Sequence, residues 1–465
     1  MIKEKFRKKS FLIVGLGISG ISLHNFLKNQ KIKVLSWDDN ELARKKAKNK
    51  GISITQIESI DYSNIDFIVF SPGVASNKPN EHPIVKKSKK FNCLIISDLD
   101  LIYFLNYNYI KIGITGTNGK STTTSCVNHI CNMSQQFSLA CGNIGKPFSS
   151  LKFDRKIENL IVEASSYQLE RLKYARFNIS LLLNISKDHL ERHKNMKNYI
   201  NAKLNIFKKQ EQNDFAIISI DNYYTRKIVK DFKMNFKSNL IQVSCKKILK
   251  NGLSVVEKEN KLIIQNNISN QSFMINKNDL KGLDGNHNLE NIIATYAICH
   301  LLKISDVSFK KYLKTFKGLA HRFEYVATFG KIMIFNDSKA TNVESSKVAL
   351  SNLKNIFWIL GGRPKSGGIN GIEKYLHQVK MAFIFGEAKD NFSDNLKKHI
   401  KLEKFKKLRP AFEKAINIAK EKDEEINILF SPACSSFDQF KNFEERGNYF
   451  KKIVKKSLKT LLKNE

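Results

Sequence analysis

No C-x-x-C pair occurs among the seven cysteines, Cys93, Cys126, Cys131, Cys141, Cys245, Cys299 and Cys434. Their odd number and scattered placement exclude a disulfide framework and a zinc knuckle, and fit a reducing compartment. No run of about 18 apolar residues is present, so no transmembrane helix and no membrane partner are expected. The basic start, Met1 to Ser10, precedes Phe11-Leu12-Ile13-Val14, yet Gly15, Gly17 and Gly20 break the apolar run and no small-residue cleavage site follows. A signal peptide is therefore not expected, and a cytoplasmic protein is. Acidic residues are scarce, 43 against 79 Lys plus Arg, for a net charge of +36. Such a balance invites nucleic acid as a partner. The lysines, however, are spread over helix patterns such as Glu41 to Lys50 and Lys451 to Lys463, and no segment interleaves aromatic with basic residues. Specific nucleic-acid binding is not expected; weak adhesion at low salt is. There is no internal repeat at a solenoid period.

What is present begins with a phosphate cradle. Ile112-Gly113-Ile114-Thr115 reads as a short strand, Gly116-Thr117-Asn118-Gly119 as a glycine turn, and Lys120-Ser121-Thr122 as the start of a helix. Glycines let successive N–H groups point into one concavity, Lys120 can reach terminal phosphates, and the Ser121 hydroxyl can ligate Mg²⁺. ATP is the expected ligand. The strict Walker pattern wants glycine five residues before Gly119 and finds Ile114, which marks a narrower group than the P-loop enzymes at large.

A chain of 465 residues, 42% hydrophobic, suggests about three domains. The expected fold is α/β: a Rossmann-like domain over 1–107, a central P-loop-type ATPase domain over 108–317, and a C-terminal Rossmann-like domain over 318–465. The first opens with Phe11 to Val14, Gly15-x-Gly17-x-x-Gly20, a helix over Ile21 to Lys28, and a strand from Ile32 that leads to Trp37-Asp38. A further strand, Phe67 to Phe70, ends in Ser71-Pro72-Gly73. In the second, Leu160 to Val162 ends in Glu163, Ser180 to Asn184 leads to Asp188-His189, and the period-two alternation from Gly252 to Ile275 predicts a small antiparallel sheet. In the third, strands Ile332 to Phe335, Ile356 to Leu360, Ala382 to Phe385 and Ile426 to Phe430 alternate with helices. The last dozen residues read as a lysine-rich amphipathic helix or a frayed tail.

Several residues carry candidate chemistry. Glu163 stands where an Mg²⁺-binding acid belongs, or is a solvated carboxylate at a strand end. His189, beside Asp188, is a second metal ligand or a hydrogen-bonding residue. Asn336-Asp337-Ser338-Lys339-Ala340-Thr341-Asn342 follows a strand and offers N–H groups and Lys339 to an anion, with Asp337 for a ribose or base edge, or as a helix cap. Ser431 to Phe440 and Asn442 to Gly447 gather hydroxyls and backbone donors that suit a small carboxylate.

Together these motifs resemble the Mur ligase family of ATP-dependent amide-forming enzymes in peptidoglycan synthesis, over essentially the whole chain. The resemblance implies ATP contacts at Gly116, Thr117, Asn118, Gly119, Lys120, Ser121, Thr122, Asn288, Asn291, Arg322 and Asp337, with Lys120, Glu163, His189 and Lys203 catalytic. It implies two Mg²⁺ ions on Ser121, Glu163, His189 and a carbamylated Lys203. The Val-Gly-Leu-Gly-x-Ser-Gly opening at Val14, the Asn336 to Asn342 motif and the Ser431 to Gly447 motif are similar to members that add D-glutamate, and the Asp-Asn-Pro-Arg motif of those adding a diamino acid is absent. D-Glutamate would then meet Lys339, Thr341, Lys365, Ser436, Phe437 and Phe443. UDP-N-acetylmuramoyl-L-alanine would meet Ile18, Ser19, Asp38, Ser71 and Asn143. Members often carry arginine two residues after the acid, where this chain has Asn40. ATP would phosphorylate the L-alanine carboxylate, and the amine would attack the acyl phosphate while the third domain closes. A monomer is expected. Two readings from other classes stay open: a nicotinamide-dependent oxidoreductase, from the first glycine motif with Asp38, and a nucleic-acid-binding NTPase, from the charge. A folylpolyglutamate synthase or another Mur ligase remains within the ligase class.

Overall fold

The computed structural model describes residues 2–74, 81–153, 156–280, 282–283, 285–364 and 368–461. They form two compact units, Met1–Leu280 with Asn286–Phe316, and Lys281–Gly285 with Lys317–Glu465.

The first unit holds two sheets. Strands β1 (Ser10–Val14), β2 (Lys33–Trp37), β3 (Phe67–Phe70) and β4 (Leu94–Ile96) are all parallel in the order β2-β1-β3-β4. β1 is buried along its whole length, as a near-continuous apolar run in a parallel sheet demands. The second sheet is built from β5 (Ile110–Thr115), β6 (Ser138–Gly142), β7 (Asn159–Glu163), β8 (Ile179–Leu182), β9 (Phe215–Ser219), β10 (Asn239–Ser244), β11 (Leu253–Lys258), β12 (Lys261–Asn266) and β13 (Gln271–Asn276). Its order is β13-β12-β11-β10-β9-β8-β5-β7-β6. From β6 to β11 every pairing is parallel; β11 to β13 are antiparallel, as their alternation predicts, and they continue the central sheet from β10. β5 lies between β7 and β8, so the chain leaves it for opposite sides of the sheet, and its carboxyl end is the switch point where α/β sheets bind ligands.

One apolar core joins the two sheets, running from Phe6, Phe11, Phe67 and Phe104 to Leu160, Phe177 and Phe207. Polar groups reinforce the junction. The Asp100 carboxylate, fully buried, accepts the N–H groups of Lys173 (3.1 Å), Tyr174 (2.6 Å) and Ala175 (2.9 Å). Gln168 Nε2 donates to both Asp98 oxygens, at 3.1 and 3.2 Å. Arg171 donates to the carbonyls of Phe70 (3.2 Å), Ser71 (3.3 Å) and Val74, and Arg192 donates to Val74 O at 3.0 Å.

The second unit carries β14 (Glu324–Phe329), β15 (Ile332–Asn336), β16 (Ile356–Gly361), β17 (Val379–Phe385), β18 (Lys401–Phe405) and β19 (Ile426–Phe430). The order is β14-β15-β19-β16-β17-β18, parallel except for β14. β14 and β18 are additions to the sequence reading. They are edge strands without a fully buried residue, so neither carries the continuous buried run of the interior strands. Each face has its own core, one around Phe383, Phe412, Phe430 and Phe450, the other around Trp358, Leu360, Ile384 and Phe392. The basic C-terminal segment is the helix Phe443–Leu461, packed through Phe450, Ile453 and Val454. No disulfide forms: six cysteines are buried and Cys245 is half-buried. No helix among the described residues is long and apolar enough to cross a membrane.

Candidate active site

The turn after β5 is held open by its surroundings. Gly119 opens the helix Lys120–Met133 with φ of +83°, where a Cβ would fall 2.2 Å from Asn291 Oδ1. Asn184, just past β8, accepts the Thr117 N–H on its main-chain oxygen (2.8 Å) and the Asn118 N–H on its Oδ1 (2.9 Å). Glu290, at the start of the helix Leu289–Leu301, braces Asn184 in turn, accepting its Nδ2–H at 2.6 Å and the Ser219 hydroxyl at 2.6 Å. Burial raises the Glu290 carboxyl pKa. Asn291 accepts the Thr123 hydroxyl (3.2 Å) and donates to Asn288 Oδ1 (2.9 Å), so the implied adenine-side residues stand behind the phosphate turn.

Two lysines converge on one carbonyl. Lys120 Nζ donates to Gly116 O (2.9 Å) and Thr117 O (2.8 Å), and Lys203 Nζ, from the helix Met196–Leu204, donates to the same Gly116 O at 2.7 Å. Lys203 is 2% exposed, and burial, then the Lys120 charge, push its pKa well below the ordinary lysine value, against Asp188 and Glu163. Its ammonium lies 4.7 Å over the Tyr199 ring, whose hydroxyl is 3.0 Å from Thr117 Oγ1. Burial pushes that phenol up to about 12.

Glu163 ends β7 beside this pair and is 1% exposed, so it is not a solvated strand-end acid. Asn143 Nδ2 donates to its Oε1 at 2.9 Å, while Oε2 is buried without a hydrogen-bond partner. An orphaned carboxylate oxygen in a dry site fits a cation ligand. Ser121 is 6% exposed at the head of the phosphate helix. His189 has a left-handed backbone, φ +52°, and its Nδ1 is 2.9 Å from Tyr167 Oη. Among the described residues no three His, Cys, Asp or Glu side chains close on one point. The residues present fit a metal once Lys203 supplies an anion.

At the first sheet, Ser71 Oγ donates to Gly15 O at 2.7 Å, tying the β3 turn to the glycine turn that carries Ile18 and Ser19. Ile18 is exposed. Asp38 Oδ2 accepts the Leu16 N–H (2.5 Å) and Oδ1 the Asn40 N–H (2.8 Å), so this acid braces the glycine turn. Although position 40 carries no arginine, Arg44 lies 4.6 Å over the Trp37 ring and donates to Asp38 O (2.7 Å) and Asp39 O (2.9 Å).

The second unit gathers another cluster. Asp337 Oδ1 accepts the Phe323 N–H (3.1 Å) and Oδ2 the Ser431 hydroxyl (2.8 Å). Burial raises its carboxyl to about 7, against those hydrogen bonds and the charges of Arg322 and Arg446. The next helix, Val343–Ser351, is capped by Asn342, not Asp337. Lys339 Nζ lies 4.8 Å over the Phe443 ring, and Ser338 Oγ donates to Phe443 O at 2.8 Å. Arg446, fully buried, ties the two turns: it donates to Ser338 Oγ (3.1 Å), Ser338 O (2.8 Å), Cys434 O (3.0 Å) and Ser435 O (3.1 Å). Thr341 is half-buried, Ser436 buried, and Phe437 62% exposed. Lys365 lies outside the described residues. Sequence reasoning missed Tyr167, Asn184, Tyr199, Glu290 and Arg446 as site builders.

Three family models match in succession: Mur ligase MurD-like N-terminal domain over 9–96, Mur ligase middle domain over 114–299, and Mur ligase glutamate ligase domain over 321–434. A UDP-N-acetylmuramoylalanine–D-glutamate ligase from Rickettsia prowazekii is 39% identical over 97% of this chain and 99% of its own. One of the same name from Phenylobacterium zucineum is 33% identical over 97% of each chain. Among solved structures, a UDP-N-acetylmuramate–alanine ligase from Thermotoga maritima shares the fold at 17% identity and TM-score 0.60, over 96% of this chain and 99% of that one. A MurF ligase from the same organism, in complex with ADP, does so at 16% identity and TM-score 0.58, over 98% of each.

Proposed function

Because the chain belongs to the Mur ligase family, we propose that it forms an amide between the L-alanine carboxylate of UDP-N-acetylmuramoyl-L-alanine and the amine of D-glutamate, driven by ATP. The full-length identity to ligases of that name supports the substrates. The observation that carries the chemistry is the meeting of Lys120 and Lys203 on Gly116 O, at the switch point of the central sheet.

A carboxylate is a poor electrophile, so activation comes first. The phosphate turn presents its N–H groups and Lys120 to the terminal phosphates, and the γ-phosphoryl group passes to a carboxylate oxygen, leaving ADP. The amine of D-glutamate attacks the acyl phosphate carbon, loses a proton and expels inorganic phosphate. Ser121, the free oxygen of Glu163, His189 and Lys203 would hold two Mg²⁺ ions, which neutralise charge on the transferring phosphoryl group. The depressed pKa of Lys203 favours a neutral amine. Its lone pair can add to CO₂ and, with loss of a proton, give the anionic carbamate that a metal requires.

The turns tied by Arg446 would hold D-glutamate through Lys339, Thr341, Lys365, Ser436, Phe437 and Phe443; Arg322, Asp337, Asn288 and Asn291 would serve the nucleoside of ATP. Ile18, Ser19, Asp38, Ser71 and Asn143 would take the UDP substrate. The same reading divides the chain into domains at 1–107, 108–317 and 318–465 and expects a cytoplasmic monomer. The test is phosphate release from Mg²⁺-ATP with UDP-N-acetylmuramoyl-L-alanine, with D-glutamate, L-glutamate or a diamino acid. Release that needs both the nucleotide sugar and D-glutamate is expected. Release with another amino acid instead would move the protein to a sister specificity, and none at all would overturn the reading.

A further inference from the structure

We propose that Tyr167 is a positioning residue that aims His189 at the metal, by accepting the Nδ1–H and leaving the Nε2 lone pair for the cation. The proposal rests on the reading of His189 as a metal ligand. Its geometric basis is the 2.9 Å approach of Tyr167 Oη to His189 Nδ1, with ring centroids 4.9 Å apart. An imidazole that binds a metal through one nitrogen is fixed in tautomer and angle by what the other nitrogen meets. Nε2 looks the other way, with Asp188 Oδ2 at 3.4 Å. Asp188 is thus the acid that Nε2 meets, and its charge also acts on the Lys203 amine.

Tyr167 is itself held in place. It lies in the helix Ser166–Leu169, whose start is locked by a capping box between Ser165 and Gln168. The Arg192 guanidinium lies 5.3 Å over its ring, and the His193 ring stacks on it at 5.7 Å. This helix follows β7 directly, so one short stretch supplies both the buried acid Glu163 and the phenol that turns the histidine. The His189 side chain is 43% exposed, and the Tyr167 hydroxyl is the shortest of its ring-nitrogen contacts.

The test is Mn²⁺ binding, followed by electron paramagnetic resonance in the presence of ADP, for the wild type, Tyr167→Phe and His189→Ala. Tyr167→Phe removes one oxygen and keeps the ring, and is expected to weaken Mn²⁺ about 10-fold, with the KM for D-glutamate unchanged. Wild-type affinity in Tyr167→Phe alongside weakened binding in His189→Ala would overturn the role of Tyr167 and leave the metal reading intact. Wild-type affinity in His189→Ala would overturn the reading of His189 and the proposal with it. In the Mg²⁺-ADP complex, the ring nitrogen-15 signals of His189, assigned by their loss in His189→Ala, are expected to show the proton on Nδ1. A proton on Nε2 would overturn the proposal.

Discussion

Asp337 gives the second unit a pH dependence that a single amide substitution removes. Its carboxyl is 6% exposed and rises from an ordinary 3.8 to about 7 in the fold. Between those values the native chain keeps the proton and the unfolded chain releases it, so this group's contribution is fully present below about pH 4 and is lost as the pH climbs to about 7. At about 1.4 kcal/mol per pH unit the whole loss is about 4 kcal/mol, of which about 3 falls between pH 5 and 8. In Asp337→Asn the amide oxygen can still accept the Phe323 N–H, and its NH₂ can donate to Ser431 Oγ, which keeps Ser346 Oγ 2.9 Å away as a partner. The fold should survive without the titration. Trp358, fully buried in the second unit with its Nε1–H donated to Ser431 O (2.8 Å), reports that unit by fluorescence, and Trp37→Phe silences the other tryptophan. In that background the urea midpoint should fall, relative to that of Asp337→Asn, as the pH rises from about 5 to about 8, because the other titrating groups of the unit, His321 among them, are common to both proteins. Parallel curves for the two proteins would refute the reasoning.

Lys203→Ala should lower kcat roughly 100-fold or more, the scale of losing one preorganised charge-stabilising group, and millimolar formate or acetate should restore part of it; full activity in the unsupplemented variant would remove Lys203 from the metal site. Arg171→Met should raise the KM for the UDP substrate while the KM for ATP holds, and cost about 1–3 kcal/mol by removing a donor from the carbonyls of Phe70, Ser71 and Val74, of which Ser71 O keeps the Val74 N–H and Val74 O keeps Arg192; equal rises in both constants would contradict a local effect on that turn. Gly119→Ala, which forces a Cβ to 2.2 Å from Asn291 Oδ1 at a left-handed φ, should weaken ATP at least about 10-fold by calorimetry. Unchanged ATP affinity would mean the turn does not hold phosphate.

The strand, turn and helix around Gly116 to Thr122 were legible because apolar run, glycines and helix-opening Lys120-Ser121 are local signals. The apolar strands β1, β3, β7, β15, β16, β17 and β19 were legible for the same reason, whereas β4, β6, β9 and β10 were not read from the sequence. Lys203 was not: one lysine among many gains meaning only when the helix Met196–Leu204 carries it to Gly116 O, 87 residues away in sequence. Asn184 was equally silent, since an asparagine after a strand is ordinary until it meets Asn118, 66 residues distant, and Glu290 beyond. Asp337 could be read as a cap because caps are local; its burial against Ser431 depends on β19 lying beside β15.

The way the cores are shared decides which parts of the chain can be exchanged between relatives. Tyr174 stacks on Tyr103 at 5.7 Å and meets Phe67 and Phe104 edge-on or tilted, at 6.2 and 5.7 Å. A recombination point near Tyr107 would therefore split one aromatic cluster between two parents and put Asp100 and the three N–H groups that it accepts on different ones. The third sheet, by contrast, has a core of its own on each face. The C-terminal unit is thus the transplantable module, and the glycine-turn sheet at the start of the chain is inherited together with the sheet that carries the phosphate turn.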